Sequence, residues 1–378
     1  MPWKEVSTMS QRHEFILFAQ QPGPSLRALC RQFGISPPTA YKWLARYAAL
    51  GPAGLADRSR RPHQMPHRTA PALEAAILAL RTQHPTWGGR KLHARLQALG
   101  YQPVPAPSTI TAILRRAAWL PPATAAAKRA WQRFEHPTPN ALWQMDFKGH
   151  FPVAHGRCHP LTVLDDCSRF ALCLQACPNE QGGTVQTHLT ATFRRYGLPA
   201  RMLMDNGPPW GVPLTLSPFT PLTVWLLRLG IGLTHARPAH PQTLGKDERF
   251  HRTLKTELLH HRSFLDLAHC QHHFDRWRDH YNLERPHDAL ALAVPATRYT
   301  PSPRPFPEVL PPIDYGPGAQ VRRVQDKGDI SFRGRAFHVT KALRGYPVAL
   351  RPTVQDGRWR LYFCHQYLRE IDLHQPVE

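Results

Sequence analysis

The chain has 378 residues, of which 42% are hydrophobic and 10% aromatic, so it is long and apolar enough to form several folded domains. An apolar run of about 18 residues is absent, which excludes a membrane-spanning helix, and the N-terminus lacks the apolar segment of a signal peptide. The seven cysteines form no CxxC pair, which disfavours a zinc knuckle or a disulfide framework and indicates free thiols in a reducing cytosol.

The charge of the chain predicts a polyanionic partner, since the formal net charge is +22. Residues 1–135 hold 19 lysines and arginines against 5 aspartates and glutamates, an excess of 14 positive charges. A basic excess beside helix-turn-helix patterns favours nucleic acid. A membrane surface is the weaker alternative, because no long basic amphipathic helix stands out.

Residues 10–50 are predicted to form three short helices. A tight turn begins at Gly34, and Ser36 and Pro37 then supply the N-cap and the first position of the third helix. A helix, a glycine-containing turn and a basic helix are typical of a helix-turn-helix. A small helical bundle would have a similar turn, but the charge favours DNA binding. The outward residues expected to contact DNA are Thr39, Tyr41, Lys42 and Arg46.

The next stretch, residues 57–68, is basic and proline-rich and is predicted to be a linker that follows a phosphate backbone. Its expected DNA contacts are Arg58, Arg60 and Arg61. Three more helices are predicted up to residue 120, and they resemble the first unit in architecture. The cations of this second helix-turn-helix-like unit that are available to phosphates are Arg90, Lys91, Arg95, Arg115 and Arg116.

Beyond a second linker the pattern changes to mixed strands and helices. Three antiparallel-looking strands are predicted, LWQMDF, CHPLTVLDD and SRFALCLQA, with Asp165 and Asp166 in a turn where Asp is favoured for backbone reasons. A helix, a short strand ending at Asp205, and further helices and strands follow. This order predicts an α/β domain with a mixed sheet.

The C-terminal part, residues 316–375, follows a proline-rich linker and alternates short strands with glycine-containing turns. This pattern predicts a small all-β module, a barrel. The expected strands are AQVRRV, ISFRGRAFHV, PVALRPTV, GRWRLYFC and QYLREIDL.

One acid lies inside a predicted strand, at Asp146 in ALWQMDFKGH. A buried carboxylate is costly unless it is paired, hydrogen-bonded or bound to a metal, and a lone Asp here would be a capping or edge residue. Asp205 ends a second strand, however, and Glu248 lies on a later helix. Two or three carboxylates around one point are what a pair of Mg²⁺ ions requires.

The helix that carries Glu248 also carries cations on the same face. Glu248, Arg252 and Lys255 stand at i, i+4 and i+7, so they share one side of the helix. Asp247 points about 100° away from its neighbour, so only one of the two can face the metals, and we expect it to be Glu248. The cations expected to hold DNA phosphates are Lys246, Arg252 and Lys255.

The motifs WQMDF, LMDNG and HPQTLGKDERFHRTLK resemble the Asp, Asp and Glu motifs of insertion-sequence transposases in the retroviral-integrase superfamily. YNLERPHDAL resembles a segment just beyond the catalytic Glu of the same transposases. The resemblance covers nearly the whole chain. It implies a multidomain protein with an all-α helix-turn-helix N-terminal region, an α/β RNase H-like core with a mixed sheet, and a small all-β C-terminal barrel. It also implies that Asp146, Asp205 and Glu248 are catalytic residues that bind two Mg²⁺ or Mn²⁺ ions.

The function implied by the resemblance is that of a DNA transposase, which binds the terminal repeats of an insertion sequence and catalyses strand cleavage and strand transfer. The expected partners are double-stranded DNA and further copies of the chain, in the bacterial cytoplasm at the nucleoid. One alternative is a catalytically inactive, transposase-derived regulator or architectural protein, against which the presence of all three acids argues. A simple RNase H-like nuclease fits poorly with two DNA-reading units ahead of the core.

The expected domain boundaries are 1–56 for the helix-turn-helix domain, 57–70 for the basic linker, 71–120 for the second helix-turn-helix-like domain, 121–139 for a linker, 140–300 for the catalytic core, 301–315 for the proline-rich linker and 316–378 for the β-barrel.

Overall fold

The structure of the protein is a computed structural model. It describes residues 7–23, 25–58, 68–120, 135–211, 219–235 and 245–374. The chain forms two compact units, Met1–Arg68 and Thr69–Glu378. The predicted DNA contacts Arg60 and Arg61, and most of the expected linker at 121–139, lie outside the described residues.

The first unit is a bundle of three helices, and it has the predicted helix-turn-helix form. Gly34 has a φ of 62°, which other residues rarely adopt, and it turns the chain between the second and third helices. Ser36 is the N-cap of the third helix and Pro37 its first residue. The helices are α1 Thr8–Ala19, α2 Leu26–Gln32 and α3 Pro37–Leu50. Their buried side chains form one core made of Phe15, Ile16, Leu29, Cys30, Ala40, Trp43 and Leu55.

A second helical bundle begins the larger unit. Gly89 lies where α5 starts, and a Cβ atom there would come within 2.3 Å of the Pro107 carbonyl oxygen, so only glycine lets this helix approach the next one. The buried Arg81 donates to the Trp87 carbonyl oxygen at 2.6 Å. The helices are α4 Pro71–Gln83, α5 Gly89–Ala98 and α6 Pro107–Arg116. Their core consists of Ile77, Trp87, Leu92, Leu96, Ile110, Ile113 and Leu114.

The larger unit is built around a six-stranded mixed sheet, as predicted. Its strands are β1 Trp143–Phe147, β2 Phe151–Val153, β3 Gly156–Asp165, β4 Ala171–Cys177, β5 Arg201–Met204 and β6 Gly232–His235. The strand order is β2–β3–β1–β5–β6, and β4 also pairs with β3. The pairs of β1 with β3 and of β3 with β4 are antiparallel, whereas those of β1 with β5 and of β5 with β6 are parallel.

Helices cover both faces of this sheet. The helices are α7 Gly182–Tyr196, α8 Pro221–Arg228, α9 Gly245–Glu257 and α10 Leu267–Leu283. One core joins Trp143 and Met145 of β1 to side chains of α7 and α8, such as Phe193. A second core joins Leu174 of β4 to side chains of α9 and α10, such as Phe250. Two residues of β1, Gln144 and Asp146, face the side of the sheet that α9 and α10 cover, because side chains alternate along a strand.

The YNLERPHDAL segment connects α10 to the sheet through hydrogen bonds. The side-chain oxygen of Asn282 accepts from the Ala171 N–H at 2.8 Å, and its amide nitrogen donates to the Ala171 carbonyl oxygen at 3.0 Å. Tyr281 packs edge-on against Phe250 of α9, with ring centroids 4.9 Å apart. The segment thus fixes the position of α9 relative to the sheet.

The C-terminal strands form a four-stranded antiparallel sheet and a separate hairpin. The sheet order is β12–β11–β10–β7, and β8 pairs with β9. Among the described residues these pairings close no barrel, although the all-β character is confirmed. The stretch ISFRGRAFHV forms two strands rather than one, because Arg333 and Gly334 have φ values of 50° and 76° and make a hairpin turn. The strands are β7 Gln320–Arg323, β8 Asp329–Phe332, β9 Arg335–His338, β10 Pro347–Pro352, β11 Arg358–Phe363 and β12 Gln366–Asp372.

The proline-rich segment at 301–315 lies along the sheet domain. The Arg304 guanidinium donates to three backbone carbonyl oxygens, those of Pro199, Leu229 and Gly230. The core of the C-terminal strands also includes Val224 and Leu227 of α8. The C-terminal strands therefore share apolar contacts with the central domain.

None of the helices in the described parts of the chain has the length and apolar composition needed to cross a bilayer.

Candidate active site

Two of the predicted acids lie side by side because β1 and β5 are parallel. Gln144 pairs with Leu203, and extending this register by two residues sets Asp146 beside Asp205, where both strands end. The Asp205 carboxylate accepts from the Gly207 N–H at 3.1 Å. Burial raises the pKa of Asp205. The strand ends thus bring two carboxylates from distant parts of the sequence together.

The carboxylate of Asp146 lies in an electronegative environment. Burial raises its pKa to about 7, and the negative charges of Asp205, Glu180 and Glu248 contribute to the rise, while the Phe147 N–H opposes it. Both Asp205 and Glu248 therefore act on Asp146 electrostatically. A cation at this point would stabilise the ionised carboxylate.

The third predicted acid, Glu248, lies in the first turn of α9 and is exposed. Arg252 and Lys255 are exposed on the same helical face, as the spacing predicts. Sequence reasoning missed Lys148, whose pKa is lowered by burial and by the nearby Lys255. The outer side of the site thus carries one carboxylate and several cations.

The inner side of α9 carries Asp247, which is 0% exposed. Neither carboxylate oxygen has a hydrogen-bond partner in the described part of the chain. Burial raises the pKa of Asp247 well above its usual range, and Asp146 and Asp166 raise it further. Asp247, Phe250 and Leu254 recur at i, i+3 and i+7 on the buried face, a pattern visible in the sequence.

His251 lies one turn after Asp247 and faces β1. Thr162 Oγ1 donates to the Asp146 carbonyl oxygen at 2.9 Å, so it can only accept from His251 Nε2, also at 2.9 Å. The ring proton is therefore on Nε2, and Nδ1, 4.0 Å from Asp146 Oδ2, is too far to form a hydrogen bond. Burial lowers the pKa of His251 to about 4, so a neutral ring lies beside Asp146 at pH 7.

The residues of this site have the donor chemistry of a magnesium site, because hard divalent cations prefer oxygen ligands. The carboxylate oxygens of Asp247, which have no hydrogen-bond partner in the described residues, and the raised pKa of Asp146 are both consistent with a cation bound nearby. In the described ranges, no three His, Cys, Asp or Glu side chains are grouped closely enough to hold a metal ion. The three predicted acids are thus neighbours and do not form a closed coordination shell.

Lys246, predicted to contact DNA, pairs with the buried carboxylate of Asp166. That carboxylate also accepts from Gln144 Nε2 at 2.7 Å and from the His136 N–H at 2.9 Å. Its neighbour Asp165 accepts from the Asn140 and Ser168 N–H groups, in agreement with the backbone role expected for this turn. The ion pair joins the start of α9 to the turn after β3.

The predicted DNA contacts of the first unit lie on α3. Tyr41 is 63% exposed, and Lys42 is exposed beside it. Arg46 lies over the Trp43 ring at 5.0 Å, and Lys42 approaches the same ring at 4.8 Å. Thr39 shares a hydrogen bond with Ser36, at 2.9 Å, and Arg58 is the last described residue before the gap at 59–67.

Several predicted DNA contacts of the second helical bundle have protein partners. Arg90 pairs with Asp288 at 3.3 Å, and Arg95 pairs with Glu284 at 2.7 Å. Burial lowers the pKa of Lys91 to about 8. At the end of α6, Arg116 pairs with Glu74 at 2.7 Å, and Arg115 is exposed. The inner face of α5 thus lies against the end of α10.

Comparison with known families agrees with this architecture. Residues 136–241 and 229–295 match two families described as integrase core domains. Residues 11–63 match a helix-turn-helix domain, and residues 39–114 match a homeodomain-like domain. Residues 319–377 match the C-terminal domain of IS481 family transposases. These matches to helix-turn-helix, integrase core and IS481 transposase C-terminal domains agree with the predicted family. The predicted helical N-terminal region, mixed-sheet core and all-β C-terminal part are confirmed.

This chain is similar to two curated insertion-element proteins. It is 28% identical over 158 residues to the insertion element IS407 uncharacterized 31.7 kDa protein of Burkholderia multivorans, and the match covers 42% of this chain and 54% of that protein. It is 28% identical over 250 residues to the insertion element IS476 uncharacterized 39.2 kDa protein of Xanthomonas euvesicatoria, covering 65% of this chain and 69% of that protein. The chain thus spans about half the length of the first relative.

Solved structures of viral integrases are also similar to this chain. A simian T-cell lymphotropic virus intasome in complex with PP2A regulatory subunit B56 gamma matches with 18% identity and a TM-score of 0.38, over 78% of this chain and 99% of the other. The HTLV-2 integrase catalytic core domain in complex with magnesium, in its trimeric form, matches with 15% identity and a TM-score of 0.34, over 43% and 99% of the two chains.

Proposed function

We propose that this chain is a transposase that binds the terminal repeats of an insertion sequence and catalyses metal-dependent strand cleavage and strand transfer. Asp146, Asp205 and Glu248 are the proposed catalytic residues. The observation that carries the proposal is the parallel pairing of β1 with β5, which sets two carboxylates together at the strand ends, within electrostatic reach of the acid on α9.

The proposed cofactor is a pair of Mg²⁺ or Mn²⁺ ions, held by the carboxylates of Asp146, Asp205 and Glu248. When bound, such a pair would activate a water molecule or a DNA 3′-hydroxyl as the nucleophile and would stabilise the charge that develops at phosphorus. The same chemistry serves cleavage and joining, because each is an in-line displacement at a phosphodiester. The raised pKa of Asp146 supports this assignment, since a divalent cation would favour its ionised form.

The remaining residues of the site have proposed roles in positioning. Arg252 and Lys255, on the outer face of α9, and Lys148, at the end of β1, hold DNA phosphates beside the acids. Thr162 holds the backbone of Asp146 through its hydrogen bond to the carbonyl oxygen, and His251 orients Thr162. These contacts keep the Asp146 carboxylate in one place while DNA binds and leaves.

The proposed partners are double-stranded DNA and other copies of the chain assembled on it, in the bacterial cytoplasm at the nucleoid. In the first unit, exposed Tyr41 and Lys42 stand near the start of α3, where a recognition helix meets base edges. Thr39, Arg46 and Arg58 are proposed to add backbone contacts. The exposed Arg115 is the proposed contact from the second bundle.

The test is a cleavage and joining assay with the full chain. Labelled DNA carrying the ends of its own insertion sequence is incubated with the protein and Mg²⁺, and nicked ends and joined products are resolved on a gel. We expect both products with Mg²⁺ or Mn²⁺ and neither with EDTA. End binding without any cleavage would instead support a catalytically inactive regulator.

A further inference from the structure

The inner face of α9 carries a carboxylate where a helix packed on a sheet usually carries an apolar side chain. Phe250 and Leu254, which follow Asp247 on that face, lie in the core between α9 and the sheet. Asp247 is as buried as they are, at 0% exposure. A residue that only filled this space would be apolar, so the acid requires a chemical explanation.

The surroundings of Asp247 are rich in acceptors. Both of its carboxylate oxygens, and Oε1 of Gln144, are buried and without hydrogen-bond partners in the described ranges. The carboxylates of Asp146 and Asp166 lie within electrostatic reach of Asp247. Lys246, the residue before Asp247, bonds the Asp166 carboxylate. Buried oxygen acceptors that no donor satisfies cost several kcal/mol in general, unless a cation or a proton joins them.

We propose that Asp247 is a further metal ligand of this site, which binds a divalent cation such as Mg²⁺ or Mn²⁺ together with Asp146. In this arrangement α9 contributes two acids, with Asp247 on the inner side and Glu248 on the outer, exposed side. The inference rests on the proposed function, because it assumes that Asp146 binds the metal.

The positions of Asp247 and Glu248 on α9 support different roles for the two acids. Asp247 is fixed in direction by burial, whereas Glu248 is exposed and free to turn toward DNA. Gln144, two residues before Asp146 on the same face of β1, has a buried side-chain oxygen without a hydrogen-bond partner in the described ranges, which makes it a candidate neutral ligand. Carboxylate and amide oxygens are the ligands that hard cations accept.

The experiment measures metal binding directly, without DNA and without catalysis. The full-length protein is titrated with Mn²⁺ by isothermal calorimetry, and its thermal unfolding is recorded with and without Mn²⁺ at constant ionic strength. The variants are Asp247→Asn, Asp247→Leu and Asp146→Asn. Asp279→Asn, which alters an exposed acid on α10, is the control.

We expect Asp247→Asn and Asp247→Leu to weaken Mn²⁺ binding by at least tenfold and to lose more than half of the Mn²⁺-induced rise in Tm. Asp279→Asn should match the wild type. If Asp247→Asn does not fold, Asp247→Leu gives the same comparison, because Leu suits a buried helical position. Mn²⁺ affinity within twofold of wild type in a folded Asp247 variant would overturn the inference.

The Asp146→Asn variant separates this inference from the proposed function. If Asp146→Asn loses Mn²⁺ binding and the Asp247 variants keep it, the metal site stands and only the role of Asp247 is wrong. If Asp146→Asn binds Mn²⁺ as the wild type does, or the wild type binds none, the assumed metal site is wrong and the inference falls with it.

Discussion

Nε of Arg285, beyond α10, lies 3.0 Å from Oε1 of Glu257, the last residue of α9, and each side chain is only 10% exposed. The hydroxyl of Thr86, from the second helical bundle, donates to the same Glu257 oxygen at 3.0 Å. One carboxylate therefore connects the helix of the candidate site, the segment after α10 and the neighbouring bundle.

The first prediction concerns this ion pair. Glu257→Gln leaves the nearly buried Arg285 guanidinium without its counter-charge, so we expect the protein to lose about 3 kcal/mol of stability. Thermal unfolding would show this as a lower Tm. Glu308→Gln is the matched control, because its pair with Arg194 is exposed on both sides, at 56% and 63%, and should leave Tm nearly unchanged. Equal Tm values for the two variants would contradict the prediction.

The second prediction concerns the three acids. Asp146→Asn, Asp205→Asn and Glu248→Gln should each reduce cleavage and joining by at least about 100-fold, because each removes a negative charge that would hold the metal ions beside the reacting phosphodiester. Binding of the element ends should change little in a gel-shift assay. Asp279→Asn, an exposed acid on α10, should remain fully active. Wild-type activity in any one of the three variants would remove that residue from the catalytic set.

The third prediction concerns DNA binding by α3. Lys42→Ala in the full chain should weaken end binding and lower the slope of log K against log salt by about 1, since one phosphate contact is lost. Its Tm should stay the same, because Lys42 is exposed. Lys42→Arg keeps the charge and should keep the slope. An unchanged slope in Lys42→Ala would show that this lysine does not contact phosphate.

The fourth prediction concerns pH and His287. Burial, together with the positive charges of Arg285, Lys91 and Arg169, lowers its pKa to about 3, while the Tyr281 carbonyl oxygen opposes the shift. The unfolded chain therefore binds more protons than the folded chain below the ordinary His pKa of about 6.5, and stability falls as pH drops from there toward 3. Between pH 7 and 5 this one group should cost up to about 2 kcal/mol.

Thermal melts at pH 7 and pH 5 would test this. His287→Gln should show a smaller drop in Tm than the wild type, whereas His338→Gln, which changes a histidine whose side chain is 62% exposed, should show the same drop. If His287→Gln loses as much stability at pH 5 as the wild type, His287 is not the group responsible.

Much of the fold was predictable because its determinants are local. Gly34 and Pro37 mark the turn of the first unit, and the apolar strands β1 and β5 carry Asp146 near the end of one and Asp205 just after the other. The pairing of β1 with β5 was not predictable in the same way, since it depends on contacts between residues about 60 positions apart in the chain. That pairing is what makes the two acids neighbours.

The charges were harder to interpret from the sequence. Arg90 and Arg95 were expected to face phosphates, but a basic residue does not indicate whether its partner is a phosphate or a carboxylate that folds onto it. Their partners, Asp288 and Glu284, lie nearly 200 residues later. Likewise, the sequence predicts that only one of Asp247 and Glu248 faces the metals. Which of the two acids lies on the buried face of α9 depends on how Phe250 and Leu254 pack against the sheet.

The three carbonyl contacts of Arg304, together with the apolar residues that α8 shares with the C-terminal strands, bear on how the protein can be divided for experiments. A fragment ending at residue 300 would lose Arg304 and would expose Val224 and Leu227 to water. Such an uncovered apolar patch promotes self-association. A catalytic fragment with good solubility therefore needs to extend through residue 374, or to carry polar replacements on α8.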